Sequence, residues 1–162
     1  MLYGVITKIM KTKFIGIVLF FVVLLFVNGC APKKIKTYES ISDIRNEVIQ
    51  LSISLLGKPY KNGAKGPDSF DCSGFVYYVY KKTGIDLPVS TDKQIQTGYE
   101  VKRSEVLPGD LVFFKIKKDM HVGIMLNRKE FINASKSRGV AVDDVDASYW
   151  KKTLIGYKSV LY

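Results

Sequence analysis

Phe70-Asp71-Cys72-Ser73-Gly74-Phe75-Val76-Tyr77-Tyr78-Val79-Tyr80 runs directly into Lys81-Lys82-Thr83-Gly84. Phe75, Val76, Val79 and Tyr80 recur at helical spacing and define one apolar face. The pattern predicts a helix over 72–83, with Gly84 as its stop. Cys72 therefore opens a helix, where unpaired N–H groups and the helix dipole favour a thiolate. The same N–H groups can face a developing oxyanion. Gly74, in the first turn, leaves room for close approach from outside.

Upstream, Ile44, Val48, Leu51 and Leu55 repeat at four, three and four residues and predict a helix over 40–56, stopped by Gly57. Residues 58–71 read as a loop with Pro59, Gly63, Gly66 and Pro67. Downstream, Thr91 with Gln94 resembles a capping box for a short third helix. Pro108-Gly109-Asp110 is turn chemistry. Five strands are expected after it, over 111–114, 122–126, 131–134, 140–142 and 155–161. Helices first and strands after argue for an α+β fold with an antiparallel sheet.

A thiol nucleophile needs a base, and His121 is the one histidine in the chain. It opens the strand-like run His121-Val122-Gly123-Ile124-Met125-Leu126, a rigid platform that can face the helix. A third polar group should hold the imidazole in one tautomer. Asn133, on the next predicted strand, is the natural choice, because adjacent antiparallel strands bring their ends side by side. Lys115, Lys117 and Lys118 precede His121 in a hairpin loop and read as a solvated tip.

The chain has 162 residues and two cysteines, and the second, Cys30, carries a different signal. Lys8, Lys11 and Lys13 precede an apolar run of 14 residues, Phe14 to Val27, the length of a signal-peptide core and short for a spanning helix. Val27-Asn28-Gly29-Cys30 then resembles a bacterial lipobox, implying cleavage before Cys30 and lipid attachment to it. Met10 is an alternative start, since Met10-Lys11-Thr12-Lys13 alone makes a compact basic region. The expected organisation is a signal over 1–29, a lipidated Cys and linker over 30–40, and one domain over 41–162. Nine linker residues reach at most about 30 Å, so the domain is expected to work close to its membrane. The signal's three lysines leave +7 of the formal +10 charge on the mature part. A basic exported domain meets anionic lipid and acidic cell wall, not nucleic acid. The mature part keeps one thiol, which excludes a disulfide-stapled fold.

Five blocks appear in order: Gly57-Lys58-Pro59-Tyr60, Phe70-Asp71-Cys72-Ser73-Gly74, Pro108-Gly109-Asp110-Leu111-Val112-Phe113-Phe114, His121-Val122-Gly123-Ile124 and Phe131-Ile132-Asn133-Ala134-Ser135. Together they resemble the NlpC-type family of cell-wall peptidases, papain-like cysteine endopeptidases of peptidoglycan, from about Ile41 to the C-terminus. The lipobox with a single domain resembles the lipoprotein branch. The resemblance implies a papain-like α+β fold, with the nucleophile at a helix N-terminus packed on an antiparallel sheet. It places the nucleophile on Cys72, the base on His121 and the third polar position on Asn133, where the family most often has His. It puts Tyr60 beside the nucleophile and gives Asp71 and Ser73 a part in binding the stem peptide. Ala64 after Gly63, and Val89 after Pro88, depart from the family's usual Gly-Gly and basic residue.

The implied reaction is amide hydrolysis in peptidoglycan stem peptides or cross-links through an acyl-enzyme on Cys72. The bond is γ-D-glutamyl to the diamino acid, or diaminopimelate to D-alanine. No cofactor and no metal is implied. The expected partners are the stem peptides and, through the lipid on Cys30, a membrane; a monomer is assumed. The expected location is the outer membrane facing the periplasm, or the outer face of a single cell membrane. The alternatives are a catalytically inactive peptidoglycan-binding lipoprotein, or a thiol amidase or acyltransferase acting on another exported substrate.

Overall fold

The computed structural model describes residues 41–162. The signal, Cys30 and the linker lie outside the described residues. Helix α1 spans Ile41–Ser54 and α2 spans Cys72–Lys82. A short α3, Thr91–Gln94, leads to strand β1, Tyr99–Val101, and a single 3-10 turn, Arg103–Glu105. Then come β2 (Leu111–Ile116), β3 (Asp119–Met125), β4 (Glu130–Ser135), β5 (Gly139–Asp144), α4 (Ser148–Thr153) and β6 (Leu154–Ser159). The sheet order is β1-β6-β2-β3-β4-β5, antiparallel throughout. This is the α+β architecture expected from the order of helical and alternating runs.

Two cores follow from the period-2 alternation of the strands. On one face Leu111, Phe113, Val122, Ile124, Ile132 and Ala134 pack against Phe75, Val76, Val79 and Tyr80 of α2. Each such full burial contributes about 1.5–3 kcal/mol. On the other face Val112, Phe114, Met125 and Phe131 pack with Trp150 of α4 and Tyr157 of β6.

One buried knot ties the layers together. Arg45 of α1 donates to Pro108 O (2.7 Å), Asp110 Oδ1 (3.0 Å), Ser159 Oγ (3.1 Å) and Leu161 O (3.4 Å). The Tyr80 hydroxyl donates to Gly109 O, and Asp110 Oδ2 accepts from Leu107 N–H at 2.8 Å. Asp110 is only 1% exposed, so removing one partner costs about 3–5 kcal/mol. Gly109 has φ +88°, which a side chain resists, and its place in this turn needs it.

Three local readings change. The capping box is absent: the N-cap of α3 is Ser90, whose side chain makes no cap bond, the Thr91 hydroxyl lies 3.8 Å from the Cys72 sulfur, and Gln94 Nε2 donates to Ser73 O and Pro88 O. Tertiary partners outcompete a four-residue helix for both side chains. Gly74 does leave room for a close approach to α2, but the group that makes it is the Ala64 carbonyl of the preceding loop, which occupies the space a Cβ would need. Strand β1 and helix α4 are additions that the sequence pattern did not mark.

Candidate active site

A cleft of about 910 Å³ is lined by Tyr60, Asp71, Cys72, Ser73, Thr91 and His121 and, on its far rim, by Arg138, Asp143 and Trp150. Among the described residues Cys72 is the one free cysteine. The nucleophile side is built locally. Asp71 caps α2, its Oδ1 accepting from Gly74 N–H (2.6 Å) and from the Ser73 hydroxyl (3.2 Å). Its Oδ2 accepts from Gly63 N–H at 2.8 Å, which pins the 58–71 loop to the helix start. Both Asp71 oxygens are therefore engaged within the chain, and the Ser73 hydroxyl is turned inward, 8% exposed.

The base side is built across strands. His121 stands on β3 and Asn133 on β4, and His121 Nε2 lies 3.0 Å from Asn133 Oδ1. The β3–β4 register covers Ile124↔Ile132 and Met125↔Phe131, so this side-chain bond joins the strands beyond their ladder. Gly123, on β3, lies close against β4: a Cβ there would meet the Phe131 ring at 2.6 Å and Asn133 Cβ at 3.2 Å. The Trp150 ring stacks on the His121 ring, centroids 5.4 Å apart and planes 26° from parallel. Asn133 is fully buried behind His121. Its Nδ2 donates to Asp143 Oδ2 (2.8 Å) and Ala141 O (3.3 Å), and Arg138 clamps both Asp143 oxygens at 2.6 and 2.7 Å.

Electrostatics set the resting state. Burial lifts the Cys72 thiol above its ordinary value, and the Asp71 carboxylate adds to that. The Thr91 hydroxyl and the N–H groups of Ser73 and Val122 pull the other way without reversing it. Burial holds His121 below its ordinary value, against the Asn133 bond and the Asp143 charge; exposed Lys136 adds to the lowering. Each change favours the uncharged form of its group. The helix end favours a thiolate less than the sequence suggests, because burial, and after it the Asp71 carboxylate, works against the charged form. Burial also lifts the Tyr60 phenol, with Cys72 and Asp71 adding to it, and Tyr60 lines the same cleft as both.

All six side chains singled out in the domain converge: Cys72, His121, Tyr60, Asp71 and Ser73 at the cleft, with Asn133 beneath His121. Thr91, Asp143, Arg138 and Trp150 were not anticipated. Of the hairpin lysines, Lys118 is exposed and also borders the cleft.

Sequence comparison finds 42% identity over 106 residues with "Probable endopeptidase p60" of Listeria welshimeri, covering 65% of this chain and 20% of that protein. The chain thus spans about a fifth of the length of that relative. "Probable endopeptidase NlpC" of Escherichia coli K12 is 36% identical over 137 residues, covering 79% of this chain and 88% of that one. Among solved structures, an NlpC/P60 family protein from Bacillus cereus superposes with a TM-score of 0.69 at 27% identity, over 77% of this chain and 44% of that one. RipD of Mycobacterium tuberculosis, described as a non-catalytic NlpC/p60 domain protein adapted to peptidoglycan binding, shares the fold at 23% identity and a TM-score of 0.63, over 73% of this chain and 98% of that one. The NlpC/P60 family profile matches residues 57–159, which hold every element from the loop before α2 to the end of β6. This chain belongs to the NlpC/P60 family.

Proposed function

We propose that this protein is a membrane-anchored cysteine endopeptidase that cuts amide bonds in peptidoglycan stem peptides or cross-links, with Cys72 as nucleophile. The observation that carries the reading is a thiol at a helix N-terminus sharing one cleft with an imidazole whose far nitrogen is held by Asn133. His121 Nδ1 takes the thiol proton as Cys72 Sγ attacks the scissile carbonyl. The same proton passes to the departing amine, leaving a thioester on Cys72. Water, giving its proton to His121, then releases the acid and the free thiol. Tyr60, Asp71 and Ser73 border the nucleophile and are assigned to binding the stem peptide. The peptidase domain spans 41–162, tethered by lipid on Cys30 after removal of residues 1–29.

The test is digestion of purified peptidoglycan with mass analysis of the released fragments. Fragments ending at D-glutamate identify the γ-D-glutamyl bond; separated cross-links identify the diaminopimelate–D-alanine bond; no soluble fragments refute the reading. Likeness to RipD supports a second reading, wall binding without turnover. The intact Cys72, His121 and Asn133 favour turnover. Labelling with a thiol-directed electrophile separates the two, because an inert Cys72 leaves only wall binding. Radiolabelled palmitate should mark the full chain and not Cys30→Ala, which tests the anchor.

A further inference from the structure

We infer that Asp143 is a positioning residue for the base: acting through Asn133, its carboxylate fixes which end of the amide faces His121 and so which ring nitrogen is free to accept a proton. The inference rests on the cysteine-peptidase reading above. Asn133 Nδ2 points at two acceptors, Asp143 Oδ2 at 2.8 Å and Ala141 O at 3.3 Å. Acceptors on that side leave the amide oxygen facing His121 Nε2. An oxygen cannot donate, so Nε2 must carry the ring hydrogen and Nδ1 keeps its lone pair for the thiol proton. Remove the Asp143 oxygen, and only the longer bond to Ala141 O opposes rotation of the amide. The turned amide offers N–H to Nε2 and drives the ring hydrogen to Nδ1, where it blocks the base. Arg138, bound to both Asp143 oxygens, holds the carboxylate and balances its charge. Register explains how such distant residues meet: β4 pairs β5 with Asn133 opposite Ala141, which brings Asp143, two positions on, within reach of the amide.

His121 is the only histidine in the chain, so its ring nitrogens can be observed without assignment. Histidine-specific ¹⁵N labelling and long-range ¹H–¹⁵N spectra should show a single Nε2–H tautomer in the natural protein. Asp143→Ala should shift the signals toward Nδ1–H and lower kcat about ten-fold with KM little changed. Asp143→Asn keeps an acceptor oxygen and should restore both. Arg138→Gln leaves the acceptor unclamped, so a smaller shift in the same direction is expected even should Asp143→Ala fail to fold. An Asp143→Ala protein with the natural tautomer, or an Arg138→Gln protein with no shift where the alanine variant does not fold, overturns the inference. The spectra need no turnover, so absence of peptidoglycan cleavage counts against the proposed function and not against this one.

Discussion

The two sides of the cleft are held by different means. The thiol side is mostly a short-range assembly: Asp71, Cys72, Ser73 and Gly74 are consecutive, the cap's loop partners Gly63 and Ala64 lie eight and seven residues away, and only Thr91 and Gln94 reach in from further along the chain. The imidazole side joins three strands through His121, Asn133 and Asp143, with Trp150 from α4 laid over the ring. A helix cap forms with its helix and needs little else. The strand-borne chain exists only once β3, β4 and β5 are in register. Damage to the first side should therefore be read mainly in stability, and damage to the second mainly in rate.

The largest expected effect ignores the distinction: Cys72→Ala should lower turnover of peptidoglycan by about 10⁴-fold or more, because no other thiol stands in the domain. Full activity in that variant would refute the mechanism. Asn133→Ala should reduce kcat by about a hundred-fold, leaving measurable activity, since the neutral imidazole remains but its orientation is lost. Steady-state kinetics check this, and a change confined to KM would break the comparison. On the other side, Asp71→Ala should cost about 0.5–2 kcal/mol in urea unfolding through loss of the α2 cap. An unchanged unfolding midpoint would show that the cap does not hold that side together.

The smallest effects are in pH. His121 is held below its ordinary value of about 6.5, so the unfolded chain binds the extra proton between the two values. Stability is thus full above about pH 6.5 and falls as the pH drops through the folded value. The acid limb of kcat/KM should likewise lie below about pH 6.5, since the base is disabled only when protonated. Thermal melts at several pH values, with His121→Gln as the reference, check the first; a pH–rate profile checks the second. An acid limb above that value would mean that burial does not control the base.

This contrast also explains what could be read in the chain. The α2 face and its opening cysteine were legible because both depend on residues within a few positions of each other. His121 and Asn133 were legible through the order of the blocks that hold them. Asp143 and Arg138 carry no signal of their own; their place depends on the β4–β5 register. Trp150 sits in a six-residue helix too short for a periodic pattern, and it belongs to the second core while stacking directly on His121, 29 residues away. Strand β1 is three residues with little burial, held by its pairing to β6 rather than by its own composition. The Thr91 and Gln94 side chains fitted a capping pattern, but buried partners near Cys72 took them instead.

The knot around Arg45 has a mechanical consequence. A pull on the chain ahead of Ile41 enters the domain through α1 and is taken up where Arg45 grips Pro108, Asp110, Ser159 and Leu161. None of these residues borders the cleft. One contact set thus joins α1 to β6, and under the proposed lipid tether the load would enter the domain away from the reacting groups.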